Sequence, residues 1–133
     1  MKNLNTLIKL HRSYVDSTLK EMARLNSTKE LMEKRLVEIE SAMSEEAQKF
    51  TATEFGFVLD SYLVGARVTI SKLAENIRGL DVKILESQVI LHDQFSELKK
   101  FEIALQNRQN AERDAENMEE IKAIDEMNIM RMA

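Results

Sequence analysis

FVLDSYLVGARVTISKLAENIRGLDVKILESQVILHDQFSELKKFEIAL, Phe57 to Leu105, decides the fold of this chain. It holds no proline and opens a single helix that is expected to run on to about Met127. Apolar residues step along it by threes and fours: Leu59, Leu63, Ala66, Ile70, Leu73, Ile77, Leu80, Ile84, Leu91, Phe95, Leu98 and Leu105, with Ser87 the weak rung. An average step near 3.5 is the seam of a coiled coil, and a seam needs a partner.

The first fifty residues can supply that partner. Leu4, Leu7, His11, Tyr14, Thr18, Met22, Leu25, Lys29, Met32, Leu36, Ile39, Met43 and Phe50 recur at the same steps, Thr18 and Lys29 being poor rungs, and Glu46 would fall on the seam as well. Asn3 or Asn5 can cap this helix. The pattern breaks in SEEAQKFTATEFGF (Ser44–Phe57), where Thr51 and Thr53 are cap-type residues and Gly56 follows. The reversal is placed at about residues 51–56. A hairpin centred there pairs residues whose numbers sum to about 105, so that Leu4 meets Phe101, Leu25 meets Leu80 and Ile39 meets Ala66.

The expected architecture is all-α, a long antiparallel two-helix coiled coil whose second helix overhangs the first. It is one domain over 1–133, with helix one at about 4–50, helix two at about 57–127 and a short tail at 128–133. After Leu105 the chain reads QNRQNAERDAEN, and the seam is lost where helix one runs out. The overhang keeps a thin apolar stripe, Ala111, Ala115, Met118, Ile121 and Ile124. It is either a solvated end or a segment that a partner completes, since a lone polar helix is marginal in water. Two local features favour a competing fold, a compact four-helix bundle. Ser27–Glu30 has the form of a capping box, and Gly79–Asp81 could end one helix and start another.

Composition agrees with long helices. The 133 residues include 44% apolar and 32% charged side chains, no proline, cysteine or tryptophan, and three glycines. Without cysteine there are no disulfides, thiolate zinc sites or thiol nucleophiles. The N-terminus is too polar for a signal peptide, and no run approaches a membrane span, so a soluble, cytoplasmic protein is expected. A net charge of −4 argues against nucleic acid. The excess acid sits late, with ten Lys/Arg against fifteen Asp/Glu over residues 51–133.

No catalytic constellation, cofactor site or metal site is expected, and the protein is read as no enzyme. His11 lies on the seam and His92 on a solvated flank, neither with a second ligand at metal spacing. There is no glycine-rich phosphate loop, and the acids after Glu112 lack the glycine and spacing of a calcium loop. Met118, Met127, Met130 and Met132 form a C-terminal cluster that serves either a partner or a disordered tail. One stretch carries more apolar residues than a seam uses. Phe55, Val58 and Tyr62 share one face beside the seam, and Phe57, Val64 and Val68 share another. Such a patch marks a contact unless the 44–56 segment folds back over it. Gly65 on this face would let another backbone come close.

MKNLNTLIKLHRSYVD at the start, FGFVLDSYLVGA at the tip, and ELKKFEIALQNRQNAERDAENMEEIKAIDEM from Glu97 together resemble the FliJ family of flagellar export proteins. The likeness spans almost the whole chain. It implies a stalk similar to the γ subunit of rotary ATP synthases, an architecture shared by type III secretion proteins of the YscO type. The open end would sit in the hexameric export ATPase (FliI-like) and promote its assembly. The coiled coil would reach the membrane export gate (FlhA-like), and export chaperones are further implied partners. For the open end the resemblance implies Lys9, Arg12, Arg108, Glu112, Arg113, Met118, Ile121, Asp125 and Glu126. For the gate it adds Ala66, Thr69 and Leu73 to Phe55, Val58 and Tyr62, with Tyr62 the firmest. A monomer at the inner-membrane export apparatus is expected. The alternative is a coiled-coil adaptor or homodimer unrelated to any ATPase.

Overall fold

The computed structural model describes residues 2–50 and 56–132. Lys2–Phe50 form one helix, α1, and Gly56–Met132 form a second, α2. The two long helices pack against each other as a helical hairpin, and no strand occurs among the described residues. The expected reversal lies outside the described residues, except for Gly56, which opens α2. At its other end α2 continues to Met132, through the segment read as a tail. Asn3 and Asn5 lie inside α1 and do not cap it, because the helix already begins at Lys2. Ile8, one turn further on, is buried and holds this end against α2.

Both helices run unbroken through the two suspect sites, and the four-helix bundle is ruled out. Thr28 Oγ1 donates to the Arg24 carbonyl at 3.0 Å. The residue after Ser27, the would-be cap, is thus bonded back into the preceding turn, as in a continuous helix. Gly79 sits mid-helix, where a glycine weakens a helix by about 1 kcal/mol without breaking it.

The seam keeps one alternation of fours and threes throughout. In α1 the covered rungs are Leu4, Ile8, His11, Val15, Thr18, Met22, Leu25, Lys29, Met32, Leu36, Ile39, Met43 and Glu46. In α2 they are Leu59, Leu63, Ala66, Ile70, Leu73, Ile77, Leu80, Ile84, Ser87, Leu91, Gln94, Leu98, Phe101, Leu105 and Arg108. Three expected rungs are therefore corrected. Leu7, Tyr14 and Phe95 are exposed, and their neighbours Ile8, Val15 and Gln94 take the seam. Unbroken alternation keeps each rung facing the partner helix, and that constraint outweighs the larger side chain next door.

The chain packs as two compact units, each drawing on both helices. One comprises residues 1–15 and 92–133. Within it, Ile8, Val15 and Leu98 are buried, and the His11 ring lies 4.8 Å from Phe101 and 5.4 Å, edge-on, from Tyr14. Arg12 reaches Glu102 at 3.5 Å. Phe101 thus meets His11 where the midpoint rule had expected Leu4, a shift of one heptad.

The other unit comprises Asp16–Leu91. Leu25, Ile39 and Ile84 are buried in it. Lys29, the poor rung, is explained by what faces it: its Nζ lies 2.6 Å from Asp81 Oδ1 and 3.7 Å from Glu33 Oε1. The hydrogen bond to Asp81 is the main reason its pKa stands above the ordinary lysine value. The aliphatic stem lies along the seam while the ammonium stays partly wet. Facing side chains of this kind fix the register, which is why it departs from a count taken from the loop midpoint.

Candidate functional site

Two places stand out, one in each unit, and neither resembles an enzyme site. The first is the open end. In an antiparallel pair the start of α1 lies beside α2 near Leu105, and the side chains around the seam leave a groove of about 420 Å³. Asn5, Lys9 and Arg12 line it from α1; Glu102, Gln106 and Gln109 line it from α2, with Ile8 and Leu105 at its floor. Gln106 Nε2 donates to Asn110 Oδ1 at 3.1 Å. This is an amide-rich groove with two cations and one acid, suited to polar contacts.

Beyond it α2 stands without α1. Every described residue from Gln109 to Met132 is exposed. Of the residues implied for this end, the structure brings Lys9 and Arg12 together in the groove. Arg108 pairs with Glu112 at 3.9 Å, one turn on. Arg113, Met118, Ile121, Asp125 and Glu126 are spread along the exposed helix. Five of its large apolar residues, Met118, Ile121, Ile124, Met127 and Met130, recur every third position; these, Ile129 and Met132 are all exposed.

At 3.6 residues per turn a step of three falls short of a full turn by about 60°, so five such residues wind about 240° around the helix. The stripe therefore does not lie on one face. A helix alongside would cover only part of it; a surrounding partner would cover it all.

The second place is a shallow groove of about 470 Å³ in the other unit. Ser61, Tyr62, Gly65, Ala66 and Thr69 line it from α2, and Arg35 and Ile39 from α1. Three of the residues assigned to this contact, Tyr62, Ala66 and Thr69, are thus brought together. Val58 is exposed but does not line the groove, and Phe55 lies outside the described residues. Leu73 is half-covered on the seam. Thr69 Oγ1 donates to the Gly65 carbonyl at 3.2 Å, leaving its methyl group to the groove.

A Cβ added to Gly65 would meet nothing within 4 Å, so no intrachain packing asks for glycine there. Arg35 and Ile39 were missed as site residues. The expected pairing of Ile39 with Ala66 was the signal that could have found them, since it already set that turn of α1 against the patch.

His92 is exposed, as expected of a flank residue. Among the described residues no group of acids and histidines could hold a metal ion, and no helix is long and apolar enough to cross a membrane.

Comparison with known families agrees with these features over the full length. The family described as flagellar FliJ protein matches residues 1–133. This chain belongs to the FliJ family. It is therefore a component of the flagellar protein export apparatus, in a family of structural export components not known as enzymes. No curated protein and no solved structure matches it.

Proposed function

We propose that this FliJ chain is the non-enzymatic stalk of the hexameric export ATPase, entering the ring by its open end. The observation that carries the reading is the exposed end of α2, with apolar residues winding about two thirds of the way around it. A lone helix of this kind gains little in water and much inside a lumen that surrounds it. It carries both signs with an acidic excess, Arg108, Arg113 and Lys122 set among Glu112, Asp114, Glu116, Glu119 and Glu120, which suits polar contacts with six equivalent neighbours. Lys9 and Arg12 in the open-end groove extend that contact onto α1.

The groove around Tyr62 serves the second partner in this reading, the membrane export gate. Its open glycine and small neighbours would admit a backbone or a thin side chain. Export chaperones are further partners of the same surfaces. The protein acts as a cytoplasmic monomer held peripherally at the export apparatus.

The test is ATP hydrolysis by the cognate export ATPase with the full chain, without it, and with a chain ending before Gln106. Stimulation by the full chain alone supports the stalk. No stimulation at saturating, fully helical protein points to a structural adaptor, which would then show self-association through the Tyr62 face.

A further inference from the structure

The described methionines fall into two environments. Met22, Met32 and Met43 are half-covered rungs of the α1 seam. Met118, Met127, Met130 and Met132 stand on the unpaired end of α2, exposed by 58%, 54%, 79% and 90%. Met1 is outside the described residues. Half of the methionines are thus gathered in the last sixteen positions of a 133-residue chain, where more than half of each residue's surface is exposed.

An exposed thioether is open to two-electron oxidants, and its sulfoxide is polar where the thioether was apolar. The chain has no cysteine to intercept an oxidant first. Three of these methionines supply most of the apolar stripe; Ile121 and Ile124 supply the rest.

We propose that Met118, Met127, Met130 and Met132 form a reversible oxidation site that weakens docking of the open end. The reaction with a peroxide-class oxidant balances simply. The thioether sulfur takes one oxygen atom, forming the sulfur–oxygen bond; the peroxide O–O bond breaks; and the remaining oxygen leaves as water. Sulfur is oxidised by two electrons and the peroxide is reduced by two. A thiol-dependent sulfoxide reductase returns the thioether: the sulfur–oxygen bond breaks, the oxygen leaves as water, and two thiols supply the two electrons and are joined as a disulfide. The regulatory clause rests on the stalk reading, whereas the oxidation site itself rests only on exposure.

The experiment treats the purified full chain with dilute hydrogen peroxide, removes the oxidant with catalase, and maps added oxygen by peptide mass. The four C-terminal methionines should oxidise about tenfold faster than Met22, Met32 and Met43. Equal rates overturn the site.

The treated chain is then mixed with untreated ATPase, and stimulation should fall several-fold and return after sulfoxide reductase. A chain carrying Met118→Leu, Met127→Leu, Met130→Leu and Met132→Leu should lose nothing of its own untreated stimulation on peroxide treatment. Full stimulation by the oxidised wild-type chain overturns the regulation. If the untreated chain never stimulates, the stalk reading falls and the regulation with it, while the rate comparison still decides the site.

Discussion

Two stretches of α2 contrast most sharply, the paired stretch up to Arg108 and the bare one from Gln109 to Met132. Both are α-helix, and the second, after a polar stretch up to Asn117, again carries large apolar residues at close steps from Met118 on. In the first the steps alternate four and three, so the stripe stays on one side and α1 covers it. In the second the steps are threes, so the stripe winds away and nothing in the chain covers it. The difference lies in phase as well as composition. A stripe in heptad phase stabilises the fold, and a stripe out of phase is left for a partner.

The largest effect expected from that contrast is on stability. Leu25 is 3% exposed. Leu25→Ala removes a packed side chain from a thin two-helix core and should destabilise by about 2–5 kcal/mol in chemical denaturation followed by circular dichroism. Ile121→Ala deletes a similar side chain from the bare stretch and should change stability by less than about 0.5 kcal/mol. It should nevertheless weaken ATPase stimulation. Equal destabilisation by both changes would mean that the bare stretch packs on something in its own chain, and the contrast would be lost.

A smaller effect separates helix propensity from docking. Gly65 and Gly79 are both helical, and a Cβ at either meets nothing within 4 Å. Gly65→Ala and Gly79→Ala should each stabilise the fold by about 0.5–1 kcal/mol. Only Gly65 borders the Tyr62 groove. Gly65→Ala should therefore weaken gate binding, measured by titration calorimetry, while Gly79→Ala leaves it alone. Tyr62→Asp should weaken it further with almost no change in melting temperature, because the side chain is already 41% exposed. Gate binding untouched by both changes at residues 62 and 65 would move that contact elsewhere.

Much of this was legible in the sequence, for a reason visible in individual residues. From Ala66 to Leu80 each rung has only polar or small residues beside it, and the phase read there carries the seam past Val64, Leu85 and Ile90, which stand next to rungs. Leu7 beside Ile8 and Tyr14 beside Val15 offer two apolar choices one residue apart, and taking the earlier of each pair put both rungs out of step. Gln94 beside Phe95 misled the other way, because a polar rung in correct phase outranks an aromatic out of phase. The loop midpoint set Ile39 against Ala66, which line one groove, but missed at the open end, where His11 rather than Leu4 meets Phe101. The bare end was foreseen from the loss of the seam after Leu105. The groove at Tyr62 was seen from one helix only, so its α1 half, Arg35 and Ile39, was absent.

The smallest expected effect concerns the Lys29–Asp81 pair, a charged contact on an otherwise apolar seam. The folded state raises the Lys29 pKa above its ordinary value, chiefly through the hydrogen bond from its ammonium to Asp81. The stabilisation is complete at pH values below the unfolded lysine pKa, about 10.4, and is lost as pH rises through the higher folded value. Melting temperature should be flat from about pH 7 to 9 on this account and fall above about pH 10.4.

At the acid end Glu21 behaves in the opposite sense. Arg24 Nε donates to its Oε2 at 2.9 Å and Nη2 to its Oε1 at 2.6 Å, which lowers the carboxyl pKa. That contribution is present above the ordinary carboxylate range and disappears as pH falls below it. Lys29→Met keeps the stem on the seam and deletes the charge. If the alkaline fall survives in Lys29→Met, some other group produces it, and Asp81 is not what holds this rung in place.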